Sequence, residues 1–190
     1  SEILEKLKLT PKQYFVASIH REENIDSKET LIEIIESLNA VAENYNMSII
    51  FSTHPRTAKR IEEYGITADR RIVFNKPFGY FDYNKLQREA FCVLSDSGSI
   101  QEESAIMNFP AVQVRVSSER PEAFDEGVAI LSGRNKDTIL QAIEVMVGER
   151  EKGIKMNVPR NYRDTNVSSK VLRLIVGLTK IIQKKRGHKA

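Results

Sequence analysis

Phe91-Cys92-Val93-Leu94-Ser95-Asp96-Ser97-Gly98-Ser99-Ile100-Gln101-Glu102-Glu103 is the stretch that decides the fold. Its first four residues are apolar without alternation, which predicts a strand over Phe91–Ser95 buried on both faces. A turn of small residues follows, and then a helical pattern over Ser99–Met107. A strand feeding a helix through a tight turn is half of a βαβ unit, and the same alternation extends both ways from it. Further strands are predicted at Gln13–Ile19, Met47–Thr53, Arg71–Asn75, Ala111–Val116 and Val128–Leu131. From Ser27 on, Leu31, Ile34, Ile35, Leu38, Val41, Ala42 and Tyr45 form a 3.6-residue stripe. Helices also fit Thr57–Tyr64 (closed by Gly65), Asp82–Ala90, Pro121–Glu126, Lys136–Glu149 and Val167–Lys185, with Gly153–Asn166 as a loop. Right-handed crossovers wind these elements into an α/β fold, a doubly wound, Rossmann-like parallel sheet.

The chain has 190 residues and 21.7 kDa, the size of one domain. With 41% hydrophobic and 29% charged residues it does not read as disordered. Cys92 is the only cysteine, which excludes a disulfide framework and a multi-cysteine zinc site. No run reaches the roughly 18–20 apolar residues that cross a bilayer, and Ser1–Lys12 lacks a signal-peptide core. A soluble, cytoplasmic domain is the expectation. The net charge of +3 is uneven: Lys170–Ala190 holds seven Lys or Arg and no acid, leaving 22 basic against 26 acidic residues before it. The body is therefore not expected to bind nucleic acid. The end, Lys184-Lys185-Arg186-Gly187-His188-Lys189, reads either as a helix terminus complementing its dipole or as a contact for phosphates or an anionic membrane.

Ligands of open parallel sheets bind at the carboxyl ends of the strands. There the sequence places His20-Arg21-Glu22-Glu23-Asn24, His54-Pro55-Arg56, Lys76-Pro77-Phe78-Gly79-Tyr80-Phe81-Asp82-Tyr83, Asp96 to Glu103, and Ser117-Ser118-Glu119-Arg120-Pro121-Glu122. The turn Ser97-Gly98-Ser99 opens a helix, so its amides and hydroxyls suit an anion such as phosphate; the alternative is a capping box of Ser99 with Glu102. Adjacent carboxylates on a helix point about 100° apart. Glu102 and Glu103 are therefore no matched acid/base pair, and one of them can accept from ribose hydroxyls. His20 and Arg21 form a cationic pair suited to a diphosphate, with His20 able to shuttle a proton. His54 reads equally as a turn residue. Arg120 points at the same cleft or pairs with Glu119 or Glu122. Phe78, Tyr80, Phe81 and Tyr83 form a slot for a flat base or local core. His20 and Glu23 lack a third ligand, so no metal is expected, and Cys92 is expected to be inert core.

Taken together, the blocks His20–Asn24, Asp96–Glu103 and Glu119–Glu122 resemble, in order and separation, those of the non-hydrolysing UDP-N-acetylglucosamine 2-epimerases, over roughly Tyr14 to Ile182. The resemblance implies a two-domain enzyme of glycosyltransferase-B architecture, this chain being similar to its C-terminal, nucleotide-binding half. It implies a catalytic role for His20 near the phosphates, beside Arg21. It also implies diphosphate contacts from Ser97, Gly98 and Ser99, a ribose contact from Glu103, a phosphate–sugar contact from Arg120 and a place by the uracil for Tyr83. The reaction implied removes the C2 proton, eliminates UDP to a 2-acetamidoglucal and adds UDP back, without metal or cofactor.

Four departures from the family pattern stand out: Glu22 for a second arginine, Ser99 for a second glycine, Pro77-Phe78-Gly79-Tyr80 for Pro-Leu-Asp-Tyr, and Thr53-His54-Pro55-Arg56 for Val-His-x-Asn-Pro. They look more like the branch forming UDP-N-acetyl-L-fucosamine for capsule or O-antigen. The partners expected are UDP, a UDP-N-acetylhexosamine and an N-terminal half carrying the catalytic carboxylates, in a homodimeric parent, with residues 1–12 as an inter-domain linker and 167–190 as a terminal helix and basic tail. A glycosyltransferase donor domain, which would need an acceptor, and a free-standing UDP-sugar-binding domain are the alternatives.

Overall fold

The computed structural model describes residues 1–187; His188 and Lys189 of the basic end lie outside the described residues. The strands β1 (Tyr14–Ser18), β2 (Ser48–Ser52), β3 (Ile72–Asn75), β4 (Val93–Ser95), β5 (Ala111–Gln113) and β6 (Ile130–Leu131) form one sheet. Its order is β3-β2-β1-β4-β5-β6, and every neighbouring pair is parallel. This is the doubly wound, Rossmann-like sheet that the sequence predicts. Strand order reverses between β1 and β4, and Ser18 pairs with Ser95 while Ser95 pairs with Gln113. The carboxyl ends of β1, β4 and β5 are thus level, with a crevice where the winding changes direction.

Alternate strand residues face opposite layers. Phe15 and Ala17 of β1 join Ile49, Phe51, Leu94 and Val112 under α3 (Lys28–Tyr45) and α8 (Lys136–Glu151). Tyr14 and Val16 join Ile50, Val93 and Phe109 under α5 (Tyr80–Glu89) and α6 (Ile100–Met107), with Ile3 of α1 (Ile3–Lys6) in the same layer. The stripe predicted from Ser27 is the buried face of α3, and the Ser27 side chain caps that helix by accepting from the Thr30 amide. α4 (Pro55–Tyr64) starts two residues earlier than expected because Pro55 fits the first helical position, and it ends on Gly65 at φ 63°. β5 stops short of Val116 because the Arg115 amide turns back to the Gln113 carbonyl. The sequence reading missed α2 (Glu22–Ile25), which at four residues has no periodicity to detect. α7 (Pro121–Asp125) lies close to its expected span.

The chain divides into two compact units, Ser1–Val158 and Pro159–Ala190. The second holds a short 3₁₀ turn, Arg160–Tyr162, and α9 (Val167–Gly187), along which Val171, Ile175, Leu178 and Ile182 are exposed. Among the described residues, no helix is long and apolar enough to cross a membrane.

Candidate functional site

Asp96, the first residue beyond β4, is fully buried at the change of winding. Its carboxylate accepts from the backbone amides of His20 (2.9 Å) and Arg21 (2.8 Å) and from the Asn24 side-chain amide (3.1 Å). The fourth partner is Nδ1 of His20, 3.1 Å away. That contact turns Nδ1 toward Asp96 and leaves Nε2 as the ring nitrogen open to a substrate. One buried acid therefore ties the loop after β1 to the loop after β4 and orients the His20 ring. Asn24 extends the tie, because its amide also donates to the Val114 carbonyl (3.0 Å) while its oxygen accepts from Arg134 Nε (3.0 Å). The sequence reading singled out neither Asp96 nor Asn24. The signal available was an acid directly after the apolar run of a central strand, where a charge has to be paired.

The Ser97-Gly98-Ser99 turn lies beside this tie. A methyl group added at Gly98 would sit 3.3 Å from Arg120 Nε and 3.4 Å from Arg21 Nη2. Two guanidinium groups from different loops thus converge over one glycine at the start of α6, where first-turn amides lack intrahelical partners. Two cations over a residue without a side chain at a helix start favour an anion with several oxygens, although the Ser97 and Ser99 amides already donate to the Ser95 and Ser97 hydroxyls. Ser97 and Ser99 stand with their hydroxyls 2.9 Å apart. The capping box of Ser99 with Glu102 is not formed: Ser99 makes no side-chain cap, and Glu102 instead pairs with Arg120. Glu102 is not among the partners that the sequence suggests for Arg120. Glu119 is engaged by Arg115.

Glu103 lies one turn into α6, where its carboxylate accepts from Gln87 Nε2 at 2.7 Å. Gln87 is buried on α5, so this bond ties Glu103 to that helix. Tyr83, on the same helix, is packed against the second core layer and has its hydroxyl at the Ser18 side chain; burial raises its pKa. Phe78 packs into that layer too, whereas Tyr80 and Phe81 are exposed and stack edge-on at 5.5 Å. The aromatic cluster is therefore split between core and surface. His54 caps α4 by accepting from the Arg56 amide, and its ring lies 6.2 Å from that of His20. The Cys92 thiol is buried, which pushes its pKa up to about 12, as expected of an inert core residue. Among the described residues, no three His, Cys, Asp or Glu side chains gather to hold a metal ion.

A methyl group at Gly98 would occupy the space that an anion shares with Arg21 and Arg120, while the arginine tips can yield by a few tenths of an ångström. Gly98→Ala should therefore leave unfolding within about 0.5 kcal/mol of wild type and weaken binding of a diphosphate anion such as pyrophosphate at least about tenfold, or about 1.4 kcal/mol. Thermal melts and titration calorimetry on the same preparation check this; unchanged affinity would remove Gly98 from the site.

The profile of the UDP-N-acetylglucosamine 2-epimerase family matches residues 1–176. The UDP-N-acetylglucosamine 2-epimerase of Methanocaldococcus jannaschii is 38% identical over 141 residues, 72% of this chain and 38% of that protein. Among solved structures, the UDP-N-acetylglucosamine 2-epimerase of Rickettsia bellii is 41% identical with a TM-score of 0.79, covering 97% of this chain and 49% of that one. The M. jannaschii enzyme in complex with UDP-GlcNAc and UDP is 31% identical with a TM-score of 0.81, covering 93% of this chain and 48% of that one. The C-terminal domain of a group 1 glycosyl transferase from Francisella tularensis shares the fold alone, at 13% identity and a TM-score of 0.51 over 88% of this chain and 90% of that domain. The chain thus spans half or less of the length of the epimerases it matches. By the extent of these matches, it belongs to the UDP-N-acetylglucosamine 2-epimerase family.

Proposed function

We propose that this chain is the nucleotide-binding half of a UDP-N-acetylhexosamine 2-epimerase, which inverts C2 by eliminating UDP and adding it back. The carrying observation is the convergence of Arg21 and Arg120 over Gly98, next to a His20 held by buried Asp96. Expelling UDP from the sugar places new negative charge on the β-phosphate, and preorganised cations and amides stabilise that charge more than the ground state. In this reading Ser97, Gly98, Ser99, Arg21 and Arg120 hold the diphosphate. Glu103, oriented by Gln87, takes the ribose hydroxyls, and Tyr83 stands at the uracil end. His20 presents Nε2 to the departing phosphate oxygen. The base that removes the C2 proton comes from an N-terminal half, with residues 1–12 leading from it. A cytoplasmic homodimer that uses no metal or other cofactor completes the proposal.

The substrate branch we favour is the one forming UDP-N-acetyl-L-fucosamine for capsule or O-antigen. Two of the residues that depart from the family pattern, Glu22 and Arg56, form an ion pair at 2.7 Å. Asp26 joins Arg56 at 2.7 Å, so the departures act as one unit linking α2 to α4 rather than as independent drift. Offering the full-length protein each candidate UDP-sugar and following C2 epimers by NMR decides the branch; conversion of UDP-N-acetylglucosamine alone would reject it.

The nucleotide reading is tested on the chain itself. Half a cleft should bind UDP with micromolar to millimolar affinity, roughly −8 to −4 kcal/mol. Arg120→Ala and Ser97→Ala should weaken it, the arginine more, because a charge-assisted bond is about twice as strong as a neutral one. Calorimetry showing wild-type affinity in both variants would remove this turn and Arg120 from the site.

A further inference from the structure

Arg115 is nearly fully buried, yet it is a guanidinium that no ligand contact requires. It stands two residues past β5, and its three nitrogens reach two different loops. Nε donates to Glu23 at 2.9 Å, while Nη1 and Nη2 fork onto the two oxygens of Glu119 at 3.2 and 2.9 Å. Glu23 lies in the loop and short helix that carry His20 and Arg21. Glu119 directly precedes Arg120. Both carboxylates are partly open to solvent, so the arginine is the only deeply buried member of the trio.

That geometry has an electrostatic consequence. Glu119 lies within Coulombic range of Arg21 as well as next to Arg120 in sequence. Left unpaired, its carboxylate would compete with a diphosphate for the two arginines that converge on Gly98. Arg115 occupies Glu119 bidentately and Glu23 by a third bond, and it holds the pKa of Glu119 below the ordinary value.

We infer that Arg115 is a positioning residue that clamps the His20–Arg21 loop to the Arg120 loop and keeps both carboxylates away from the phosphate-binding arginines. The inference rests on the nucleotide reading above and adds a second layer to that site. Arginine is needed rather than lysine, because only a planar fork can satisfy two carboxylates at fixed angles.

The test uses the chain with UDP as probe, in three variants. Arg115→Met should weaken UDP about tenfold or more, since it frees a carboxylate beside the site. Adding Glu119→Gln to Arg115→Met should recover most of that loss, which a purely structural role for Arg115 would not allow. Arg115→Lys, which keeps the charge and serves if the methionine variant does not fold, should fall between wild type and Arg115→Met. Amide hydrogen exchange without nucleotide gives an independent readout: exchange at residues 21–25 and 116–120 should quicken together in the Met or Lys variant. Wild-type affinity in both single variants, a loss that Glu119→Gln does not repair, or unchanged exchange in the two loops would each overturn the inference. Failure of the wild-type chain to bind UDP would instead overturn the nucleotide reading, and the exchange measurement would still decide whether Arg115 clamps the loops.

Discussion

Replacing Asp96 with alanine is expected to remove about 3–5 kcal/mol of stability, the range for breaking a buried, fully engaged charged group. The carboxylate is completely buried, accepts from two backbone amides and the Asn24 amide, and lies 3.1 Å from Nδ1 of His20. Alanine strands those donors in a region that water reaches only if the loop after β1 comes away. Each unpaired buried donor costs about 1–3 kcal/mol, and partial opening keeps the sum below the simple total. Asp96→Asn is the informative companion. It keeps the volume but replaces one accepting oxygen with an amide NH2 that faces donors, so His20 loses the negative charge beside Nδ1. Urea unfolding with an unchanged slope should show a lower midpoint for both variants, the alanine one lower. UDP affinity should fall in parallel, because Arg21 is hung on the same carboxylate. A loss under about 1 kcal/mol in Asp96→Ala would show that Asp96 is not the tie between the loops.

That Asp96 escaped the sequence reading while its neighbours did not has a physical reason. Repeating apolar patterns report burial directly, so the unalternating run before Asp96 and the stripe from Leu31 to Ala42 located the sheet and α3, with strand ends off by up to three residues. The small-residue turn at Ser97–Ser99 and the charged blocks after β1 and β5 were legible because ligands gather at that edge of a parallel sheet. Buried polar partnerships leave no such trace. Asp96 meets His20 and Asn24 across more than seventy residues, Arg115 meets Glu23 across 92, and Arg134 meets Asn24 across 110. Local spacing also misled in one place. Ser99 and Glu102 have the separation of a capping box, but Arg120 arrives from a distant loop with a full positive charge and takes the glutamate. A charge–charge contact in a half-buried crevice outweighs a neutral cap.

The largest effect on turnover is expected from His20→Ala in the full-length epimerase. Loss of a positioned proton donor at a departing group typically costs about 10²–10⁴-fold. In the proposed reading His20 suits that task because its Nδ1 lies 3.1 Å from buried Asp96, so that with protons on both ring nitrogens Nε2 donates to the phosphate oxygen that gains charge as the bond to C1 breaks. UDP affinity should change far less, by about threefold or less, because in the proposed reading the ground-state charge is met by Arg21, Arg120 and the Ser97–Ser99 turn. The split between kcat and Kd carries the meaning. An interaction made only in the transition state lowers kcat and kcat/KM together and spares binding, whereas a plain binding residue lowers affinity by as much as rate. Steady-state kinetics beside UDP calorimetry on the same variant gives both numbers, and equal losses would make His20 a ligand of the diphosphate and no more. Asp96→Asn sharpens the comparison, since it leaves the imidazole in place but removes the negative charge beside Nδ1. If Nε2 acts on the leaving oxygen, that variant should lose kcat as well, in the same direction as His20→Ala and by a smaller factor.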